Sequence, residues 1–334
     1  MKVLNLIACL FTFSSAYTGP VCCRPANLEL APNATSLALN STHTDATSPP
    51  AIVIDFQHKR NNSEMNPFSS CGDGFCDGRN ETCFSCPSDC GECDLQYLDK
   101  CRSPGHVSLT FDDGPHEFSP TLLALAKELN VKLTLFVIGN KLANITYQNY
   151  LKQYYDAGHT IASHTFTHPF VTQLTDAEIR DEMIKTDNAI FNLIGVRPIF
   201  MRNPYSDTNE RTMALLDSMG YKSIFTSLDT EDTVYGDSDP NKILSNAVKG
   251  LQANPQTTSY VITQHETYNV SINHLPQIVN EINKRKYTIV PITTCFNANN
   301  AYRQDVCGDG KCSGYLENCQ TCPLDCGKCP MHLP

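Results

Sequence analysis

The stretch "SLTFDDGPHE", Ser108 to Glu117, sets two carboxylates, Asp112 and Asp113, side by side after an apolar β-type run from Val107 to Phe111. Like charges repel, and acidic residues disfavour strands, so the pair needs a reason. Asp-Gly-Pro is ordinary turn chemistry and offers one reading. A functional site is the other.

Outward from this stretch, strand and helix signals alternate. Apolar β-rich runs fall at 107–112, 132–138, 159–163, 199–202, 222–227, 259–264 and 287–292. Helical stretches lie between them, at 119–129, 147–157, 175–194, 209–219, 240–253 and 273–284. The third opens on Thr175 followed three residues later by Glu178, a capping box. Repeated βα units predict an α/β domain around a parallel sheet, either doubly wound or closed as a barrel.

The ionisable candidates cluster by position. Asp112 and Asp113 end the first strand, and His164 and His168 follow the third in "SHTFTH". Arg202 ends the fourth in "MRNPY", Asp229 and Asp232 follow the fifth in "SLDTEDT", and His265 ends "VITQH". All sit at strand carboxyl ends, the edge where α/β folds build their sites. Two imidazoles four residues apart, with a carboxylate from another strand, suit a three-ligand zinc site with an open position. A histidine pair alone is more often incidental; the neighbouring Asp pair tips it toward a metal site. His106, His116, His159 and His274 have no such companions and read as surface or packing residues.

The N-terminus has Lys2, an apolar run from Val3 to Phe13, then Ser14-Ser15-Ala16, which reads as a secretory signal peptide over 1–16. No later run is long enough to span a membrane, and no apolar tail suggests a lipid anchor. Asn-x-Ser/Thr triplets at Asn33, Asn40, Asn61, Asn80, Asn144 and Asn269 fit a secreted glycoprotein. Residues 17–66 read as a disordered, glycosylated linker. The net charge of −10 and pI near 5.4 give no reason to expect nucleic acid or an anionic membrane as partner.

Of 17 cysteines, Cys9 lies in the signal peptide, leaving an even count. Twelve fall in two blocks of one spacing, C-x4-C-x6-C-x2-C-x3-C-x2-C, from Cys71 to Cys93 and from Cys307 to Cys329. They define two copies of one module, at 67–97 and 303–331, on either side of a domain at 98–296. In a secreted chain three disulfides per module is a better reading than zinc, because so short a segment cannot build a core unaided. Six cysteines allow fifteen pairings. Cys101 and Cys295 flank the domain and suggest a disulfide closing it, which leaves Cys22 and Cys23 over. The modules could bind carbohydrate, bind calcium through repeated acids, or act as spacers. Phe75, Phe84 and Tyr315 occupy no shared position, so the repeat itself is no aromatic platform.

"TFDDGP", "HTFTH", "RNPY", "LDTED" and "TQHE", in this order, resemble the five motifs of the NodB-homology polysaccharide deacetylases, carbohydrate esterase family 4. The resemblance covers about residues 105 to 292 and is nearest to the secreted fungal chitin deacetylases. It implies a distorted (β/α)7 barrel, here flanked by the two disulfide-rich modules. It also implies that Asp113, His164 and His168 hold a divalent metal, zinc or another such as cobalt. Asp112 would be the general base, positioned by Arg202, and the Tyr205 backbone N–H would face the oxyanion. His265 would be the general acid, tuned by Asp232 or, as a second choice, Asp229.

The implied reaction removes N-acetyl groups from N-acetylglucosamine residues of chitin, giving chitosan and acetate. Alternatives are another polysaccharide (peptidoglycan, acetylxylan) or a weakly active or inactive glycan-binding protein. Two departures bear on the last. Thr233 stands where members usually carry Trp, in a chain with no Trp, and Thr263 stands where they usually carry Leu. Both positions normally line the apolar acetyl pocket.

Overall fold

The structure, a computed structural model, describes residues 71–303 apart from 73–75, 77–80, 94, 237 and 253. The signal peptide, the linker, the second cysteine module and the triplets at Asn33, Asn40, Asn61 and Asn80 lie outside the described residues, as do Cys22 and Cys23.

Eight parallel strands form one curled sheet: β1 (His106–Gly114), β2 (Leu133–Val137), β3 (Thr160–Ser163), β4 (Phe200–Met201), β5 (Lys222–Ser223), β6 (Leu228–Asp229), β7 (Tyr260–His265) and β8 (Thr288–Ile289). The order across the sheet is β5-β4-β3-β2-β1-β7-β6, with β8 pairing the start of β1. Among the described residues no ladder joins β5 to β6, so the curl is an incomplete barrel. β6 lies within "SLDTEDT", which reads as a strand-end loop in the sequence; two residues with one acid give no alternation to detect. A separate antiparallel pair, Arg197–Pro198 with Tyr302–Arg303, carries ordered packing beyond residue 296.

Helices α1 (Ser119–Glu128), α2 (Ile145–Asp156), α3 (Asp176–Ile194), α4 (Glu210–Ser218), α5 (Asp232–Tyr235), α6 (Pro240–Gly250) and α7 (Asn269–Lys284) connect the strands. The predicted capping box is present on α3. Thr175 Oγ1 accepts from Glu178 N, and the Glu178 carboxylate accepts from Thr175 N. α7 starts four residues before the sequence reading of 273 and continues through Pro276.

Period-two alternation sorts the strands into two faces. Val107, Leu109 and Phe111 of β1, Leu133 and Leu135 of β2, and Ile262 of β7 pack with the helices. Phe136, Ala162, Phe200 and Val261 gather in a second cluster with Cys101 and Cys295. Each Val, Leu, Ile or Phe among these, fully buried, contributes about 1.5–3 kcal/mol. The alternate residues of β1 that avoid the helix face are Ser108, Thr110 and Asp112, all buried. That row leads from the inner face up to the carboxyl-end rim.

The described cysteine module pairs Cys71–Cys86, Cys76–Cys90 and Cys83–Cys93 around a single helical turn, Pro87–Cys90. Asp89, which recurs as Asp325 in the sequence of the second module, accepts from Gly72 N (2.6 Å) and Ser88 Oγ (3.1 Å), and so braces the module internally. Cys101 pairs with Cys295 across the domain ends.

Candidate active site

Asp112 and Asp113 are neighbours that face different partners. Asp112 keeps the β1 register, opposite His265 of β7, and is buried. Asp113 takes a left-handed backbone, φ 66°, and the pairing of β1 with β2 shifts register between Phe111 and Gly114. That local break takes Asp113 out of the regular alternation that Asp112 still follows.

Arg202, buried beyond β4, donates from one guanidinium nitrogen to Asp112 Oδ1 (2.7 Å) and Thr110 Oγ1 (2.8 Å). Its Nε donates to Ile224 O (3.2 Å), and the guanidinium lies 4.2 Å from the Phe136 ring centroid. A buried ion pair stands only when its remaining protons are satisfied, and these contacts supply that.

Asp113 faces the two imidazoles. Its buried Oδ1 has no hydrogen-bond partner, and lies 3.2 Å from His168 Nε2 and 3.5 Å from His164 Nε2. His164 Nδ1 lies 2.8 Å from Arg202 O, an N–H donation that leaves Nε2 as a lone pair. His168 reaches the same point from a loop with left-handed residues at Thr165 (φ 64°) and His168 (φ 64°). Glu182 of α3 pins that loop by accepting from Phe166 N (2.8 Å) and Thr167 N (2.7 Å).

The three ligand atoms lie within 4.8 Å of one another. Lone pairs converging beside an unpartnered buried carboxylate oxygen could hold a cation between them. One oxygen and two imidazole nitrogens suit zinc or a similar divalent ion.

His265, on the rim at the end of β7, pairs through Nδ1 with Asp232 Oδ1 (2.7 Å), and its backbone N donates to Asp232 Oδ2 (2.6 Å). Burial lowers its pKa, but the Asp232 hydrogen bond and charge, reinforced by Asp112 and Asp113, raise it to about 9. Asp229 instead accepts from Glu231 N (2.8 Å). Of the two acids the sequence offers as partner, the structure brings Asp232 to the imidazole.

Tyr205 follows in a tight turn with left-handed backbone (φ 59°). Its ring is 60% exposed, stacks on Phe170 (4.1 Å) and meets His168 edge-on (4.6 Å). Thr263 is buried two residues before His265, whereas Thr233 is exposed on α5. His159 is a packing residue whose Nδ1 accepts from Leu133 N (3.0 Å). His106, His116 and His274 are half-buried and outside the Asp113, His164 and His168 cluster.

Several residues near the site have contacts that the sequence does not signal. Glu182 is one acid among several on a helix. Glu266 follows His265 and is fully buried, with Ser119 and Tyr154 hydrogen-bonded to its Oε1. Lys141 donates to Asp113 O (2.6 Å). Ser271 donates to Asp232 (2.6 Å), although in the sequence it reads only as the third residue of a glycosylation triplet.

Comparison with known proteins agrees with this fold. Residues 99–224 match the polysaccharide deacetylase family. A chitin deacetylase of Colletotrichum lindemuthianum is 32% identical over 203 residues, 59% of this chain and 81% of that protein. A peptidoglycan-N-acetylglucosamine deacetylase of Bacillus cereus is 31% identical over 197 residues, 57% of this chain and 68% of that protein. A chitin deacetylase of Arthroderma benhamiae is 34% identical, but the match spans only 53% of its length. The solved structure of the Colletotrichum enzyme superposes with a TM-score of 0.60 at 27% identity, covering 62% of this chain and 95% of that one. The chain belongs to the polysaccharide deacetylase family and is a polysaccharide deacetylase hydrolase.

Proposed function

We propose that this chain is a secreted, zinc-dependent chitin deacetylase that hydrolyses the N-acetyl groups of N-acetylglucosamine residues to chitosan and acetate. The observation that carries the proposal is the division between adjacent carboxylates: Asp112 is locked to Arg202, while Asp113 faces two imidazole nitrogens. A divalent cation held by Asp113, His164 and His168 would acidify a water toward neutral pH and polarise the acetamide carbonyl.

The chain's own groups account for the remaining chemistry. Arg202 fixes Oδ1 of Asp112, and the other carboxylate oxygen takes the proton of the attacking water. The Tyr205 backbone N–H, in its turn beside His168, donates to the developing oxyanion. An amide nitrogen leaves only when protonated. His265, held as a cation by Asp232, delivers that proton from Nε2. The disulfides and the fungal relatives support secretion.

Zinc-loaded protein should release acetate from chitin oligomers, and a chelator should stop it. No acetate from chitin, peptidoglycan or acetylated xylan with zinc bound would overturn the proposal. Acetate from peptidoglycan alone would move the substrate to the second reading, which the Bacillus cereus relative supports.

A further inference from the structure

The general-acid pair has a third member. Asp232 opens α5 and is fully buried, a costly place for a carboxylate unless donors surround it. Two donors come from His265: Nδ1 at 2.7 Å from Oδ1, and the backbone N at 2.6 Å from Oδ2. The third is the Ser271 hydroxyl, 2.6 Å from Oδ2. Ser271 is itself fully buried, the third residue of α7, and its backbone N donates to Tyr268 O (3.0 Å). The hydroxyl is thus delivered to Asp232 from the first turn of a sixteen-residue helix, whose N-terminus favours negative charge.

This geometry gives Ser271 a function that its sequence context hides. Asn269-Val270-Ser271 is a glycosylation triplet in which Asn269 is exposed while the serine is sealed beneath the pair. We infer that Ser271 is a positioning residue of the deacetylase, holding the Asp232 carboxylate in its two-point contact with His265 and sharing its negative charge. The inference rests on the general-acid role proposed for His265.

A hydroxyl donating to Oδ2 draws charge from the carboxylate, so the carboxylate holds the imidazolium proton less tightly. Without it, His265 should bind its proton more tightly and deliver it less readily. The other charged groups near the imidazole are Asp112 and Asp113 on β1 and Asp229 at the end of β6, with the Tyr268 ring 6.4 Å away. Glu266, next in the chain, turns instead to Ser119 and Tyr154. Among the groups facing His265, Ser271 touches Asp232.

The test is an NMR titration of the His265 imidazole in zinc-loaded wild type, Ser271→Ala, Ser271→Thr, Ser271→Val and Asn269→Gln proteins. Ser271→Ala should raise the midpoint by about half a unit to one unit, roughly three- to ten-fold tighter proton binding. Turnover at neutral pH should fall about as many fold with KM unchanged. Ser271→Thr should titrate as wild type, and Asn269→Gln should leave both readouts unmoved. Should Ser271→Ala fail to fold, the Thr/Val pair, equal in shape, isolates the hydroxyl. Identical midpoints with and without the hydroxyl overturn the inference, as does Asn269→Gln reproducing the change, which would assign it to a glycan. Wild type that releases no acetate refutes the proposed function instead, and the titration still decides the role of Ser271.

Discussion

At the residue scale, two neighbouring carboxylates meet different partners, and one backbone angle marks where they part. Asp112 follows the alternation of β1 to the inner face, and Asp113, at φ 66°, leaves it. Regular alternation already sends neighbours to opposite faces, but the left-handed residue also aims the second carboxylate at the β3 loop. Asp113→Ala should therefore lose zinc, measured by metal analysis after dialysis, and activity with it. Asp112→Asn should keep zinc and the Arg202 contact while kcat falls about 10²–10⁴-fold, the usual worth of a general base. Equal zinc occupancy in both variants would refute the division. His265 sets a second expectation. It is a competent acid only while protonated, so turnover should persist to alkaline pH and fall as pH rises through about 9. Asp232→Asn removes the hydrogen-bonded charge that raises this value, so the alkaline limb should move to lower pH. A pH–kcat profile unchanged by Asp232→Asn would dismiss the pair.

At the element scale, β1 and β7 are locked beneath the site by a group outside the proposed chemistry. Glu266 is buried at the end of β7, its backbone N donates to Asp112 O, and Ser119 and Tyr154 bind its carboxyl. A Cβ at Gly114 would lie 1.9 Å from Glu266 Oε2, so that glycine is required by the glutamate packed against it. Burial raises the Glu266 pKa to about 7, against the opposing pull of Ser119, Tyr154 and Lys141. Because the folded value exceeds the unfolded one, its stabilisation is complete below about pH 4.5 and is lost as pH rises through about 7. The loss is on the order of 3 kcal/mol. Glu266→Gln, which cannot ionise, should gain stability relative to wild type between pH 5 and pH 8, read from urea unfolding. A constant difference across that range would refute the buried titration. These elements also show what the sequence made legible. Strong apolar runs such as 132–138 and the capping box at Thr175 mark their elements, and strand-end polar residues mark the rim. β6 and the first turn of α7 escape because short or polar segments carry no period. Glu266, Ser271 and Glu182 escape because their roles depend on contacts between residues far apart in the chain, which periodicity does not encode.

At the scale of the whole molecule, the Cys101–Cys295 bridge closes a loop of sequence separation 194 around the catalytic unit. Both cysteines are buried in the cluster that holds Phe136, Phe200 and Val261. The bridge also ties backbone, since Arg102 N donates to Cys295 O (2.8 Å) and Ser259 Oγ to Cys101 O (2.5 Å). All these contacts lie where β1 and β7 begin, and the metal triad and His265 lie where strands end. At about 3.3 Å per residue, the path from Val107 to Asp112 separates bridge from site by roughly 17 Å. In this fold class the amino-end face serves stability and the carboxyl-end face chemistry. Replacing both cysteines by serine should lower stability by about 2–5 kcal/mol, because the unfolded chain regains the freedom that the closed loop denies it. The urea m-value should rise as that unfolded chain expands. Zinc content and turnover well below the melting transition should be unchanged. Loss of zinc from the folded double variant would mean that the bridge reaches the site through the sheet, and the separation between a stabilising face and a chemical face would have to be abandoned.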